Sequence, residues 1–190
     1  MKLTPALLLL PLAWVPLGFA EPAPQQPSSA HGWRQSQKTD AARAMTYTQF
    51  TLVGKFLTPP QNVVSDRPAL VVDCIPANES HSKGRLLSGN LLVGTPLKII
   101  YVEPEEIHGT SYFPKIVVRY RTDKAKEDQE NWSPSTEKEK TSASIPKDSL
   151  KKILRARSVA ITAEDEHGSP VAMQFDMSDP AAVEAGCNVD

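Results

Sequence analysis

The chain has 190 residues and is nearly neutral, because 21 Lys and Arg residues against 22 Asp and Glu residues give a formal net charge of −1 at pH 7. This balance argues against a nucleic-acid-binding protein, which would carry a basic face. No segment after the N-terminal residues is long and apolar enough to cross a bilayer. The length fits one domain with its own hydrophobic core.

The first residues, MKLTPALLLLPLAWVPLGFA, have the pattern of a secretory signal peptide, predicted to span residues 1–20. A lysine precedes an apolar stretch from Ala6 to Leu17, and the small residues Gly18 and Ala20 stand where signal peptidase reads the chain. The stretch is too short for a membrane span. We therefore expect a periplasmic or secreted protein with no transmembrane segment after signal removal.

The next segment, residues 21–45, is interpreted as a flexible tether rich in Pro, Gln and Ser. Its second half, from Trp33 to Met45, is polar with a weak apolar stripe, so a short helix there is an alternative. The folded domain is then expected to cover residues 46–190.

Alternating apolar residues predict strands in the first half of this domain. In TYTQFTLVGKFL, Phe50 and Leu52 fall on the more apolar face. In ALVVDCI, Cys74 shares a face with the aliphatic residues and therefore points toward the core. Further strands are predicted in RLLSGNLLVG, LKIIYVE and PKIVVRYRTD.

The strand PKIVVRYRTD is expected to have one buried and one wet face, as antiparallel sheets allow. Its apolar face carries Ile116, Val118 and Tyr120, and its other face carries Val117, Arg119 and Arg121. Asp123 follows directly. These two cations and one anion are interpreted as either an ion-pair ladder or a partner-binding patch.

Residues 124–144 are highly polar and carry charges of both signs, which predicts a solvated loop or an exposed hairpin. Trp132 is the exception within this segment. Its two interpretations are that it covers the edge of the core or that it contacts a partner. Tyr101, Tyr112 and Phe113 are further candidates for a recognition surface.

The C-terminal part predicts two short helices around a hairpin. IPKDSLKKILRAR has a proline suited to the first turn and an apolar stripe at Leu150, Ile153 and Leu154. The hairpin follows, with Gly168 in its turn. Asp179-Pro180 then starts a helix that ends at Cys187. The fold class is thus β-rich α+β, a single antiparallel sheet or sandwich-like domain with two short packed helices.

The two cysteines, Cys74 and Cys187, are expected to form a disulfide, because an exported pair persists in the oxidised state. Two unpaired buried thiols are the alternative. A metal site is not expected, because zinc sites need paired cysteine or histidine spacing that this chain lacks.

Motifs of catalysis and cofactor binding do not stand out. There is no G-x-S-x-G and no glycine loop that would cradle a phosphate. Acidic residues cluster in VEPEEI and AEDEHG, but both clusters flank turns and are interpreted as solvated rims. We expect no cofactor and no enzymatic activity.

The order of these elements resembles the VasI/TagO-like family of exported proteins associated with type VI secretion systems. The resemblance rests on PALVVDC, on KIVVRYRTDK followed by NW, on SLKKIL, on VAMQFDM and on the final short helix ending in Cys. It implies a small β-rich periplasmic domain without an established catalytic site. It also implies a crosslink between Cys74 and Cys187, and a signature formed by Arg121, Asp123 and Trp132.

Two classes of function follow from the sequence. The first is a non-catalytic envelope protein, an accessory or binding module of a type VI secretion system, whose partner is another envelope protein or a cell-wall component. Its candidate contact residues are Arg119, Arg121, Asp123 and Trp132. The second class is a small secreted hydrolase with a site assembled from separated residues.

Overall fold

The fold is taken from a computed structural model, which describes residues 32–60, 65, 67–77, 84–102, 112–135, 140–177 and 179–188. The predicted signal peptide and residues 21–31 of the predicted tether lie outside these residues. None of the helices in the described ranges is long and apolar enough to span a bilayer.

The described residues form twelve strands and two helices. In the first half, the strands are β1 (Arg34–Asp40), β2 (Met45–Val53), β3 (Lys55–Thr58), β4 (Ala69–Ile75), β5 (Gly84–Leu92) and β6 (Ile100–Val102). In the second half, the elements are β7 (Phe113–Thr122), β8 (Asp128–Pro134), β9 (Ser142–Ser144), α1 (Lys147–Leu154), β10 (Ser158–Glu164), β11 (Pro170–Asp176), α2 (Ala181–Gly186) and β12 (Cys187–Asn188).

The strands make one curled, almost entirely antiparallel sheet in the order β1-β2-β4-β5-β9-β8-β7-β10-β11-β3, with β6 added to β7 and β12 to β5. Strands β2 and β3 are separated only by Gly54, yet they stand toward opposite ends of this order. The sheet therefore has to curl, so that β2 and β3 can follow one another through the bend at Gly54. This confirms the β-rich antiparallel fold with two short helices.

The concave side of the curled sheet carries the core. Alternate residues along each strand point inward, as the period of two requires, and they form one hydrophobic cluster with α1 and α2. On β4, Leu70, Val72 and Cys74 are at most 1% exposed, which confirms the predicted inward face.

Helix α1 packs into the concave side with its apolar stripe. Leu150, Ile153 and Leu154 are buried, as predicted. The helix can approach β5 closely because Gly89 has no side chain there. A Cβ on Gly89 would lie 2.7 Å from a methyl carbon of Leu150.

Helix α2 has six residues, and Val183 is its buried residue. The chain then enters β12, where Cys187 pairs with Gly84. The sulfur atoms of Cys74 and Cys187 are 1.92 Å apart, which confirms the predicted disulfide. This bond joins the end of the chain to the middle of the sheet.

One boundary predicted from the sequence is wrong. Arg34–Asp40 is a strand antiparallel to β2, and not part of a flexible tether or a helix, so the described fold begins before residue 46. For the polar segment after β7, the hairpin is one of two predicted alternatives and it holds at Asp128–Pro134, which is strand β8 paired with β7, whereas the solvated loop does not. Both segments are polar because much of their surface stays exposed. Pairing of their backbone with a neighbouring strand holds them in the sheet, so they form strands without an apolar period in their sequence.

The bend at Gly54 depends on the absence of a side chain. A Cβ on this residue would lie 2.6 Å from the ring of Phe175 and 2.7 Å from the carbonyl oxygen of Gln174. Contacts this short require the backbone of β11 or the buried ring to move. Gly54 therefore permits the close approach of the β2–β3 bend to β11.

Gly54→Val is expected to lower the free energy of unfolding by about 1–3 kcal/mol, the usual cost of overpacking a core. Urea denaturation measures the loss, and amide hydrogen exchange should show faster exchange in β3 and β11 than elsewhere. Thr58→Val on the exposed part of β3 is the matched control and should change stability by less than about 0.5 kcal/mol. Equal stability of the Gly54→Val and wild-type proteins would contradict this account of the bend.

Candidate functional site

The convex side of the sheet places Arg119 and Arg121 together on β7. Both side chains are exposed, and their Cα atoms are about 7 Å apart because residues i and i+2 of a strand share a face. This confirms the predicted wet face of the strand. Neither arginine forms an ion pair with another described residue, so the predicted ion-pair ladder does not form among those residues.

Cross-strand pairing extends this surface over neighbouring strands. Directly paired residues share a face. The pairing gives two adjacent rows, Gln129–Arg119–Thr162–Ala172–Thr58 and Arg121–Ala160–Gln174–Lys55. We call these two rows the outer face.

The outer face is polar, with small side chains at its centre and cations at its margins. Ala160, Thr162 and Ala172 are half-buried, whereas the two arginines and Lys55 are exposed. Arg121 and Lys55 are three strand spacings apart, about 14 Å between Cα atoms. The small central residues leave the strands accessible, and the two arginines and Lys55 give the face a positive charge.

The side chain of Asp123 binds backbone N–H groups and does not belong to the outer face. It takes a positive φ of 51° in the turn after β7. Its Oδ1 accepts hydrogen bonds from the backbone N–H groups of Arg157 and Ser158, both at 2.9 Å. Asp123 therefore ties the β7–β8 turn to the start of β10, a structural role that the sequence interpretation missed.

Trp132 is not a contact residue, and that prediction is wrong. Its side chain is 0% exposed and packs beside Tyr120, with ring centroids 5.9 Å apart. Trp132 pairs with Ile116 of β7, so both face the core. A single tryptophan in a polar segment signalled burial on the inner face of a strand, not exposure.

A polar cluster on the concave side explains how Trp132 is held. The carboxylate of Glu130 accepts hydrogen bonds from Tyr120 Oη at 2.8 Å and from Trp132 Nε1 at 2.9 Å. Ser149 Oγ of α1 also donates to Glu130. The carboxylate of Glu130 thus links β7, β8 and α1, and it satisfies the hydrogen-bond donors that these elements bury there.

These hydrogen bonds set the ionisation of the cluster. Partial burial by itself raises the pKa of Glu130, but the hydrogen bonds from Ser149, Trp132 and Tyr120 outweigh it, so the pKa is lowered from its ordinary value. Burial, followed by the hydrogen bond to Glu130, raises the pKa of Tyr120. Glu130 is therefore ionised and Tyr120 is neutral at pH 7.

The carboxylates that the sequence offered for acid–base chemistry have structural partners where they are described. Glu164 accepts a hydrogen bond from Lys98 Nζ at 2.8 Å. Asp165 is 3% exposed and accepts hydrogen bonds from the backbone of His167 and Ser169 in the hairpin turn. Ser149, whose hydroxyl donates to Glu130, is 2% exposed. Among the described residues no group of three His, Cys, Asp or Glu is placed to hold a metal ion. The cluster VEPEEI lies largely outside those residues.

A second polar network lies on the convex side, on the other half of the sheet. Asp73 is only 8% exposed and accepts hydrogen bonds from Gln49 Nε2 at 3.0 Å and Ser88 Oγ at 2.9 Å. Ser88 in turn accepts from Asn90 Nδ2 at 3.1 Å. The network joins β2, β4 and β5. Its partners satisfy the carboxylate, so the network serves to pair the strands.

A groove opens beside the outer face, where β2 bends into β3, and its volume is about 820 Å³. Lys55 and Gln174 belong both to the outer face and to the groove. Arg67 and Asp176 add charge, and Val53 and Phe56 add apolar surface. No local sequence pattern predicts this groove, because its residues come from segments far apart in the chain.

The exposed aromatic residues lie elsewhere. Tyr101, Tyr112 and Phe113 are 68%, 55% and 47% exposed, around the β6–β7 hairpin. They remain candidates for a recognition surface, as expected from the sequence. Phe113 shares the outward side of β7 with Arg119 because the two residues are an even number of positions apart.

Comparison with known proteins found no family model, no curated protein and no solved structure that matches the chain. The site is therefore interpreted from its own geometry.

Proposed function

We propose that the chain is an exported, non-catalytic binding module of the cell envelope that holds an envelope protein or a cell-wall component against its outer face. The observation that carries this proposal is the pair Arg119 and Arg121, exposed and without an ion-pair partner among the described residues, beside a row of small side chains. Interfaces are enriched in arginine, and a polar surface suits a modest, non-obligate interface.

The compartment and the scaffold are parts of the same proposal. A disulfide that spans 113 residues of sequence is compatible with the periplasm or the extracellular space, where such bonds persist. We propose that the two halves of the curled sheet act as the layers of a sandwich-like scaffold, which keeps the outer face rigid. A rigid surface loses little conformational entropy when a partner binds.

Association with a type VI secretion system is proposed from the sequence resemblance alone. Its cheapest test is the gene neighbourhood, where genes for sheath and baseplate components are the expected neighbours. Their absence would remove the secretion-system part of the proposal and leave the binding module.

The double variant Arg119→Ala/Arg121→Ala is expected to bind the envelope partner at least tenfold more weakly than the wild type, which corresponds to about 1.4 kcal/mol. Immobilised chain covering residues 21–190 would be used to isolate the partner from envelope extract, and its dissociation constant would then be measured with each purified protein. Both residues are exposed, so the fold should be unchanged, which circular dichroism checks.

The matched control is Arg34→Ala/Lys38→Ala, which removes the same charge from β1 at the far end of the sheet order. It should bind like the wild type. Equal binding by the Arg119→Ala/Arg121→Ala protein would place the interface elsewhere, and the absence of any specific partner would contradict the binding module itself.

A further inference from the structure

The groove at the β2–β3 bend has the size and the lining of a site for a small molecule. Its volume of about 820 Å³ lies within the range of about 300–1,000 Å³ that ligand pockets occupy. Such pockets combine apolar wall with a few polar groups that orient the ligand. Here Val53 and Phe56 supply apolar wall, and Ser158 and Gln174 supply polar groups.

The backbone of the bend is already paired, so the groove offers a ligand its side chains. The N–H of Gly54 donates to the carbonyl oxygen of Pro68 at 2.8 Å, and Lys55 pairs with Gln174 of β11. Gly54 also packs against the ring of Phe175, which is 0% exposed. This packing fixes the lining before a ligand arrives, and a preformed site loses little conformational entropy on binding.

The charge of the groove favours an anion. Lys55 and Arg67 are exposed cations in its lining, and neither forms an ion pair with another described residue. Asp176 is the acidic residue of the lining, and it already takes part in another interaction. The guanidinium group of Arg67 can donate two parallel hydrogen bonds to one carboxylate, and the ammonium group of Lys55 adds a point charge.

We propose that this groove binds a small carboxylate with an apolar body. Arg67 and Lys55 bind the carboxylate group, and the apolar body packs against Val53 and Phe56. Exposed ion pairs contribute little in water, so the apolar contact supplies most of the affinity and the two cations select the acid. The inference goes beyond the proposed function, because it concerns a small ligand and not the macromolecular partner of the outer face.

The test compares naphthaleneacetate with its uncharged amide, which has the same ring system and a different head group. Two-dimensional NMR of the backbone amides, on the disulfide-bonded chain covering residues 21–190, gives both dissociation constants and locates the response. At low ionic strength the carboxylate is expected to bind at least about fivefold more tightly than the amide, the effect of two exposed ion pairs. The largest shifts are expected at residues 53–56 and 174–176. Octanoate repeats the titration with an aliphatic body.

Variants separate the head group from the apolar body. Lys55→Gln/Arg67→Gln should weaken the binding of naphthaleneacetate to that of the amide and leave the binding of the amide unchanged. Val53→Ser should weaken both molecules alike. The matched control Arg34→Gln/Lys38→Gln removes the same charge from β1 and should leave both dissociation constants unchanged. Each variant is checked for the melting temperature of the wild type.

The outcomes separate this inference from the proposed function. Equal binding of carboxylate and amide, carboxylate binding that is insensitive to Lys55→Gln/Arg67→Gln, or no binding of either naphthaleneacetate or octanoate overturns the groove as a carboxylate site. The proposed function would still stand in each case, because partner binding is tested through Arg119 and Arg121. Carboxylate binding that requires Lys55 and Arg67 supports the inference, even where no envelope partner is found.

Discussion

Replacement of Cys187 by serine is expected to lower the free energy of unfolding by about 2–4 kcal/mol, the typical contribution of a disulfide. The bond closes a loop with a sequence separation of 113, so it constrains most of the domain in the unfolded state. It also holds α2, a helix of six residues that is too short to be stable by itself. Urea denaturation of the oxidised wild type and the variant measures the loss.

Reduced wild-type protein is the internal control for this prediction. Dithiothreitol should lower the stability of the wild type to that of Cys187→Ser and should leave the variant unchanged. Hydrogen exchange should show that residues 181–188 open before the sheet in the variant. Two alkylatable thiols in protein taken from its own compartment without reductant would contradict the prediction.

Glu130→Leu is expected to lower the free energy of unfolding by about 2–4 kcal/mol, because Trp132 Nε1, Tyr120 Oη and Ser149 Oγ all lose their acceptor. The leucine keeps roughly the volume of the side chain, so the loss reports hydrogen bonding and not a cavity. Chemical denaturation followed by tryptophan fluorescence, to which Trp33 and Trp132 both contribute, measures it. Glu127→Leu in the exposed turn before β8 is the matched control, and it should stay within about 0.5 kcal/mol of the wild type.

The pH dependence of Glu130→Gln tests the same cluster by a second route. The pKa of Glu130 is lowered in the folded protein, so the folded state binds this proton more weakly than the unfolded chain, whose carboxyl has an ordinary value of 4.5. The stability from ionised Glu130 is therefore complete above that value and is lost as the pH falls through the lower, folded value. Glutamine cannot ionise, so it lacks this contribution.

The expected result is a stability difference between wild type and Glu130→Gln that is constant from pH 7 to about pH 5.5 and shrinks below about pH 4.5. Urea denaturation at stepped pH values measures it. A difference that stays constant down to pH 3, or that grows as the pH falls, would show that ionisation of Glu130 does not stabilise the folded protein. The stability of Asp128→Asn at the same pH values is the comparison for an exposed carboxylate, because Asp128 pairs with Lys152 on the exposed surface at 3.3 Å.

Local sequence patterns predicted one part of the candidate site and failed for another. The alternation in PKIVVRYRTD was sufficient to place Arg119 and Arg121 outward and Tyr120 inward. The same reasoning failed for Trp132, because its segment has a single apolar residue and therefore no period to detect. Glu130 and Trp132 are two positions apart, so a strand puts both on one face, but only the pairing of β8 with β7 shows that this face is buried.

The sequence by itself determined the features that depend on neighbouring residues or on residue type. These are the inward faces of the strands around Phe50 and Cys74, the amphipathic helix α1, the hairpin turn at Gly168 and the pairing of the only two cysteines. Each follows from side-chain period, backbone freedom or a single available partner, and none requires knowledge of which strands are adjacent.

The tertiary structure alone decided which strands are adjacent, and with them the site. The contact of Gly54 with β11, the acceptor role of Glu130, the two rows of the outer face and the groove beside Lys55 all combine residues from distant segments. The physical reason is that strand pairing is chosen by the burial of the whole core, and a period of two is the same for every partner that a strand could take.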